Sequence, residues 1–175
     1  MEQILGNSDI SDWIGSKNTS CGIVDIVTAE LINSTIGKKP NEDFKNGDPL
    51  PPLWHWFAFP SATHISQLGD DGHPKHVGYT PPKDLTRRMW ASGSLTFHSN
   101  LRVGEEITKD TTVSDIKEKE SQSGKMVFIT YEHKLRNSSN IAITETQNIV
   151  YLQASDTFNP PKKRDVPQPD FPKAK

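Results

Sequence analysis

Cysteine is almost absent from this chain: Cys21 is the only one in 175 residues. One thiol excludes an intrachain disulfide and favours a reducing compartment. Charge of a single sign is scarce too. Twenty Lys and Arg stand against 22 Asp and Glu, a formal net charge of −2, with no basic stripe. That balance lacks the electrostatic footprint of a nucleic-acid partner, and Lys162-Lys-Arg164 is too short to supply one. Long apolar runs are missing: none approaches the ~20 residues that span a bilayer. Met1-Glu-Gln-Ile-Leu-Gly-Asn7 offers neither the charged start nor the apolar stretch of a secretory signal. The expectation is a soluble, cytoplasmic protein with no membrane or nucleic-acid partner.

Apolar residues make up only 33% of the chain. Part of the deficit lies in the end of the chain, 159–175, which has no periodicity and holds five of the thirteen prolines. Such a segment cannot bury enough apolar area to offset its ordering entropy, so it reads as an extended tail. Residues 1–158 are expected to form one domain, a size that allows a substantial core.

Asp9 to Gly15 reads as a short helix with Trp13 and Ile14 packed inward, and Thr19 to Val27 as a first strand. Thr28 suits an N-cap, with Glu30 in the favoured first turn. Leu31, Ile32, Thr35 and Ile36 mark one helical face, and Gly37 ends it. Pro51-Pro-Leu-Trp-His-Trp-Phe-Ala-Phe-Pro60 is the densest apolar cluster. Proline suits the first turn of a helix, yet periodicity leaves a buried strand open as well. A Gly- and Pro-rich loop follows over 69–83.

From Arg88 onward strand follows strand. In Met126-Val-Phe-Ile-Thr-Tyr-Glu-His-Lys-Leu135 the residues Val127, Ile129, Tyr131 and Leu135 share one face. Ser121-Gln-Ser-Gly124 and Asn137-Ser-Ser-Asn140 are hairpin-like links. The expected sheet has strands near 18–27, 89–99, 105–118, 125–136 and 141–153: a four-stranded antiparallel meander joined by the first strand. The class is α+β.

The segment Leu85-Thr-Arg-Arg-Met-Trp-Ala-Ser-Gly-Ser-Leu-Thr-Phe-His-Ser-Asn-Leu-Arg-Val-Gly-Glu-Glu-Ile107 is the most informative in the chain. With Pro51-Pro-Leu-Trp-His-Trp56 and Leu68-Gly-Asp-Asp-Gly-His-Pro74, it resembles the N-terminal half of the MaoC-like hydratases and dehydratases, in the branch related to mesaconyl-C4-CoA hydratase. The resemblance covers most of residues 9 to 153. It implies a hot-dog fold, about five antiparallel strands wrapped round a buried helix, and so prefers the helical reading of Pro52 to Phe59. It implies an acyl-CoA thioester as substrate and no resident cofactor.

Hydration of an enoyl thioester needs a base for water, an acid for the α-carbon and donors to the thioester oxygen. Catalytic domains of the resembled family carry an Asp-x-Asn-Pro-x-His motif, which this sequence lacks. Its positional counterpart offers Asp48 and His55 as a candidate dyad, seven residues apart and without the Asn-Pro; the competing reading makes Asp48 a turn cap and His55 a hydrogen-bonded core or pocket histidine. In the fused enzymes the motif belongs to the second hot-dog, while the first half shapes the acyl pocket and helps grip coenzyme A. The resemblance therefore implies a dimer, either of two copies or with a second hot-dog chain. Arg87 and Arg88 suit bidentate phosphate or carboxylate binding, and the indoles of Trp90 and Trp54 could line the ligand site. Against this stand a solvated arginine pair and a core Trp90.

His73-Pro-Lys-His76 with Asp70 and Asp71 is weak as a metal site, and no metal is expected. Ser92 and Ser94 lack the Gly-x-Ser-x-Gly setting of a hydrolase, and Gly93 suits a bulge or a close backbone approach. His98 and His133 read as structural histidines within strands, and Gly104 as a turn glycine at positive φ. A non-catalytic acyl-thioester binding or regulatory module, or a hot-dog thioesterase, remains an alternative function.

Overall fold

The computed structural model describes residues 10–37, 43–69, 72–74, 85–121 and 124–153. The 159–175 tail and the Asp70, Asp71 and His76 members of the histidine cluster lie outside them. Among the described residues, five strands form a single sheet: β1 (Lys17–Ile23), β2 (Arg87–Phe97), β3 (Glu106–Ser121), β4 (Gly124–Arg136) and β5 (Ile141–Leu152). Every pairing is antiparallel and the spatial order is β1-β3-β4-β5-β2. With the helix α1 (Ile26–Ile36) beside it, this is the expected hot-dog architecture.

The meander is shorter than expected. Only β3, β4 and β5 run as consecutive neighbours, whereas β2 pairs with β5 at the far edge. The connection from Phe97 to Glu106 is long enough to carry the chain across the end of the sheet. Buried Leu101 and Val103 pin it there, and Val103 N–H donates to the Asp48 carbonyl. Gly104, at φ +80°, closes this crossing in a conformation disfavoured for side chains with a Cβ.

The apolar cluster around Trp54 departs further from expectation. It forms one turn of 3-10 helix, Trp54–Ala58, not an all-round buried α-helix. Trp54, His55 and Ala58 face inward, while Trp56 and Phe57 are 42% and 49% exposed. Leu53 enters the turn at φ +76°, a left-handed conformation unusual for a branched side chain. The α-helix among the described residues is α1, which starts two residues before the expected cap: Asp25 caps it by accepting from Thr28 N–H at 2.7 Å. It buries Ala29 and Ile32, while Leu31 and Ile36 are exposed. Gly37 does end the helix, though at φ −67°; what it needs is space, because a Cβ there would strike Asn33. Near the start, the 3-10 turn Ile10–Trp13 packs Trp13 against the core, but Ile14 is exposed.

Strand alternation decides where polar groups end up. Ile107, Lys109, Thr111 and Val113 of β3 share the inner face with Leu135, His133, Tyr131 and Ile129 of β4 and with Ile143, Glu145, Gln147 and Ile149 of β5. One end of that face is closed by a cluster that includes Ile107, Leu135 and Ile143 together with Val24, Ala29 and Trp54. The other end holds Leu85, Val113, Val127, Ile129, Ile149 and Tyr151. Between the two apolar clusters runs a polar belt: Lys109, Thr111, His133, Glu145 and Gln147.

Candidate active site

The belt faces a cavity of about 370 Å³ lined by His55, Trp56, Phe59, Trp90, Lys109, His133, Leu135, Glu145 and Gln147. Three walls enclose it. The register sets His133 opposite Glu145, and Tyr131 opposite Gln147. The Trp54–Ala58 turn forms the facing wall, and it lies so close to β1 that a Cβ on Gly22 would strike the Ala58 carbonyl. On the third side β2 contributes Trp90. Its register shifts between Trp90 and Ser92, and Trp90 folds over Gly93, where a Cβ would come within 3.0 Å of the indole. Gly93 thus serves a close approach beside a bulge, as its sequence context suggested.

Glu145 is the hub. Only 4% exposed, it accepts from Trp56 Nε1 at 3.1 and 3.3 Å and from Gln147 Nε2 at 2.7 Å. His55 Nε2 stands 3.6 Å from its Oε2, an ion-pair separation longer than a hydrogen bond. Burial pushes the Glu145 carboxyl up, but His55, Gln147, Trp56 and the nearby His133 together outweigh it and hold the group below its ordinary range. A buried carboxylate that keeps its charge needs this many donors.

His133 bonds through Nδ1 to Thr111 Oγ1 at 2.8 Å and stacks on Tyr131 with ring centroids 6.2 Å apart. Its Nε2 is buried with no hydrogen-bond partner, as is that of His55. Burial lowers the His133 pKa most, Lys109 adds to the lowering, and Glu145 and Gln147 oppose it. The imidazole is therefore held neutral more firmly than an exposed one. Lys109 is half-buried, its ammonium 4.2 Å above the Phe59 ring; burial lowers its pKa and Glu145 partly restores it. Beyond, burial and Tyr151 raise the Tyr131 phenol to about 12 against the pull of Arg88.

The residues singled out in the sequence divide. His55 and Trp90 reach the cavity. Asp48 does not join His55: its carboxylate accepts from Lys45 N–H at 2.8 Å and caps a turn, and the acid that meets His55 is Glu145. Trp54 is core, packed against Phe44 with ring centroids 5.4 Å apart, and the indole on the cavity is Trp56. Arg87 and Arg88 alternate to opposite faces, and it is Arg88 that acts on Tyr131. Glu145, Gln147, Lys109 and His133 were missed as site residues. The signal was available, since each stands at an inward position between the apolar ends of its strand's inner face, where an unsatisfied polar group is costly. Among the described residues, no group of three or more His, Cys, Asp or Glu is placed to hold a metal, and no helix is long and apolar enough to cross a membrane.

A five-stranded antiparallel sheet of this order has the hot-dog architecture, and a buried carboxylate, two imidazoles and two half-exposed indoles line one of its cavities. Residues 53–175 match the family model for hydroxyacyl-thioester dehydratase type 2. The chain belongs to that family. It is 33% identical over 164 residues to mesaconyl-C(4)-CoA hydratase of Chloroflexus aurantiacus, covering 93% of this chain and 58% of that protein. Thus the chain spans a little over half the length of the curated relative. Among solved structures, a chain of the ChsH1–ChsH2 complex from Mycobacterium tuberculosis matches with a TM-score of 0.50 and 12% identity, over 80% of this chain and 85% of that one. A MaoC-like dehydratase from Rhodospirillum rubrum matches with a TM-score of 0.49 and 15% identity, over 85% and 99%. The ChsH1–ChsH2 likeness speaks for the fold alone.

Proposed function

We propose that this chain is the acyl- and coenzyme A-binding half of an acyl-thioester hydratase or dehydratase, working in the cytoplasm against a second hot-dog that bears the catalytic Asp and His. In the hydration direction, water adds across the Cα=Cβ bond of an enoyl thioester: its oxygen bonds to Cβ and a proton goes to Cα. No resident cofactor takes part, since coenzyme A arrives with the substrate. The observation that carries the reading is the aromatic cavity with a polar belt in a chain without the Asp-x-Asn-Pro-x-His motif. Its family supports a hydratase or dehydratase reaction. Trp56, Trp90 and His55 are assigned to the acyl-thioester, and Arg88 to phosphate or carboxylate recognition beyond Trp90. Glu145 takes the place that Asp48 held in the candidate dyad, as the group that orients His55.

The test is to assay enoyl-CoA hydration, read as loss of enoyl-thioester absorbance, with the chain alone and mixed with a hot-dog domain carrying the motif. The chain alone is expected to bind acyl-CoA without turnover, and the pair to turn over. Full hydratase activity of the isolated chain, lost on His55→Ala, would overturn the reading and make His55 a catalytic residue.

A further inference from the structure

Lys109 is the one lysine among the residues that line the cavity. Its backbone is fixed between two strands, opposite Leu135 of β4 and Ser20 of β1. The side chain stands on an apolar floor. Ile107 and Leu135 are fully buried, and the ammonium lies 4.2 Å from the centre of the Phe59 ring. Among the described residues, no carboxylate closes on it to ion-pair distance. Glu145 acts on it across the cavity, but the oxygens of that group are surrounded by Trp56, Gln147 and His55. Exposed lysines of the sheet are placed otherwise: Lys117 is paired with Asp115 and Lys125 with Glu118. Burial takes more from the charged form of Lys109 than Glu145 returns, so more of it is the free amine than at the surface.

We propose that Lys109 is a self-acylation site, at which its amine takes the acyl group from a thioester bound in the cavity. This rests on the thioester-binding reading above. Nζ bonds to the thioester carbonyl carbon, the C–S bond breaks and coenzyme A leaves as its thiolate. Of the three ammonium hydrogens, one stays on the amide nitrogen, one goes to the thiolate and one to solvent, so no co-reactant is needed. A lysine desolvated in an apolar pocket is an activated nucleophile. Confinement adds to this, because an acyl group held beside the amine reacts as if within one molecule. The product is an uncharged amide whose acyl chain lies among the aromatic walls of Trp56, Phe59 and Trp90. Acylation thus fills the cavity and shuts it to further acyl-CoA.

Butyryl-CoA is the probe, because a saturated acyl group can be transferred but cannot take up water. The full chain is incubated with it at neutral pH, and butyrylation is read lysine by lysine by mass spectrometry of the digested protein. Lys109 is expected to react at least about tenfold faster than exposed Lys117. Its rate should saturate with butyryl-CoA and fall when S-butyl-CoA is added, a thioether that can occupy the cavity but has no acyl group to give. Lys117 should respond to neither. K109R, shown by circular dichroism to be folded, should lose the fast phase. If S-butyl-CoA binds by calorimetry while Lys109 reacts no faster than Lys117, the acylation site is overturned and thioester binding stands. If S-butyl-CoA neither binds nor slows Lys109, the thioester reading fails. Any butyrylation of Lys109 is then a chance encounter, and the site falls with that reading.

Discussion

Glu145→Gln and Glu145→Ala separate charge from occupancy at one position. The alanine variant strips the acceptor from Trp56 Nε1 and Gln147 Nε2 and leaves His55 without its anion. Buried donors without acceptors cost about 1–3 kcal/mol each, so the urea midpoint should report a loss of at least ~2 kcal/mol. The glutamine variant retains one acceptor oxygen and should lose less, about 1–2 kcal/mol. If both variants melt like the wild type, Glu145 is not holding the wall. His133 and Glu145 also set the acid limb of stability. Both have folded-state pKa values lowered below their ordinary 6.5 and 4.5. A lowered folded value means that the unfolded chain takes up the proton first, so stability is full above the ordinary value and drains as pH falls below it. For His133 the loss begins as pH drops through 6.5, and for Glu145 as it drops through 4.5. Denaturation midpoints measured from pH 8 to pH 4 should therefore fall on acidification, and His133→Gln should remove the upper part of that fall.

At the scale of elements, the cavity depends on how closely the Trp54–Ala58 turn approaches β1. Gly22→Ala places a methyl against the Ala58 carbonyl and within 2.8 Å of the Phe59 ring. Neither the backbone oxygen nor the strand can retreat far, so a loss of about 2–3 kcal/mol is expected, read by thermal denaturation. Much of this architecture was legible in the sequence. Alternation in 125–136 placed Val127, Ile129, Tyr131 and Leu135 on one face, and the Gly-, Ser- and Asn-rich links marked both hairpins. Gly104 was recognisable as a turn residue. Strand order was not legible, because period-two patterning assigns faces and is silent about neighbours; β2 reads the same beside β3 or beside β5. Composition misled at 53–59, where seven apolar or aromatic residues in a row suggested a buried helix. The turn uses its inner residues for packing and its outer pair, Trp56 and Phe57, as wall and surface. The site itself was hidden by rank. Asp48 and His55 drew notice through nearness in sequence, whereas the partner of His55 lies 90 residues on and is brought to it by the curl of the sheet.

At the scale of the whole molecule, several large apolar side chains among the described residues stand open to solvent. Met89, Trp90 and Phe97 stand open along β2, which is an edge of the sheet, and Val27 and Leu31 stand open on α1. An edge strand with unpaired backbone groups and apolar side chains is a template for another chain. The cavity also reaches this side, since Trp56 and Trp90 line it and are both about half exposed, with rings 5.7 Å apart. A second hot-dog docked along β2 would cover both indoles and enclose the acyl group, which is why the assembly and the site are expected to depend on one surface. Met89→Asp tests that dependence outside the cavity lining. A charge desolvated at an interface costs several kcal/mol, so the dissociation constant of the assembly should rise at least tenfold by light scattering or sedimentation. The folded chain should hardly notice, because Met89 is 41% exposed and surface changes stay within about 0.5 kcal/mol. Acyl-CoA affinity of the mixture should drop in parallel with association. A variant that still associates like the wild type would move the interface off β2, and the apolar row of α1 would then be the surface to alter.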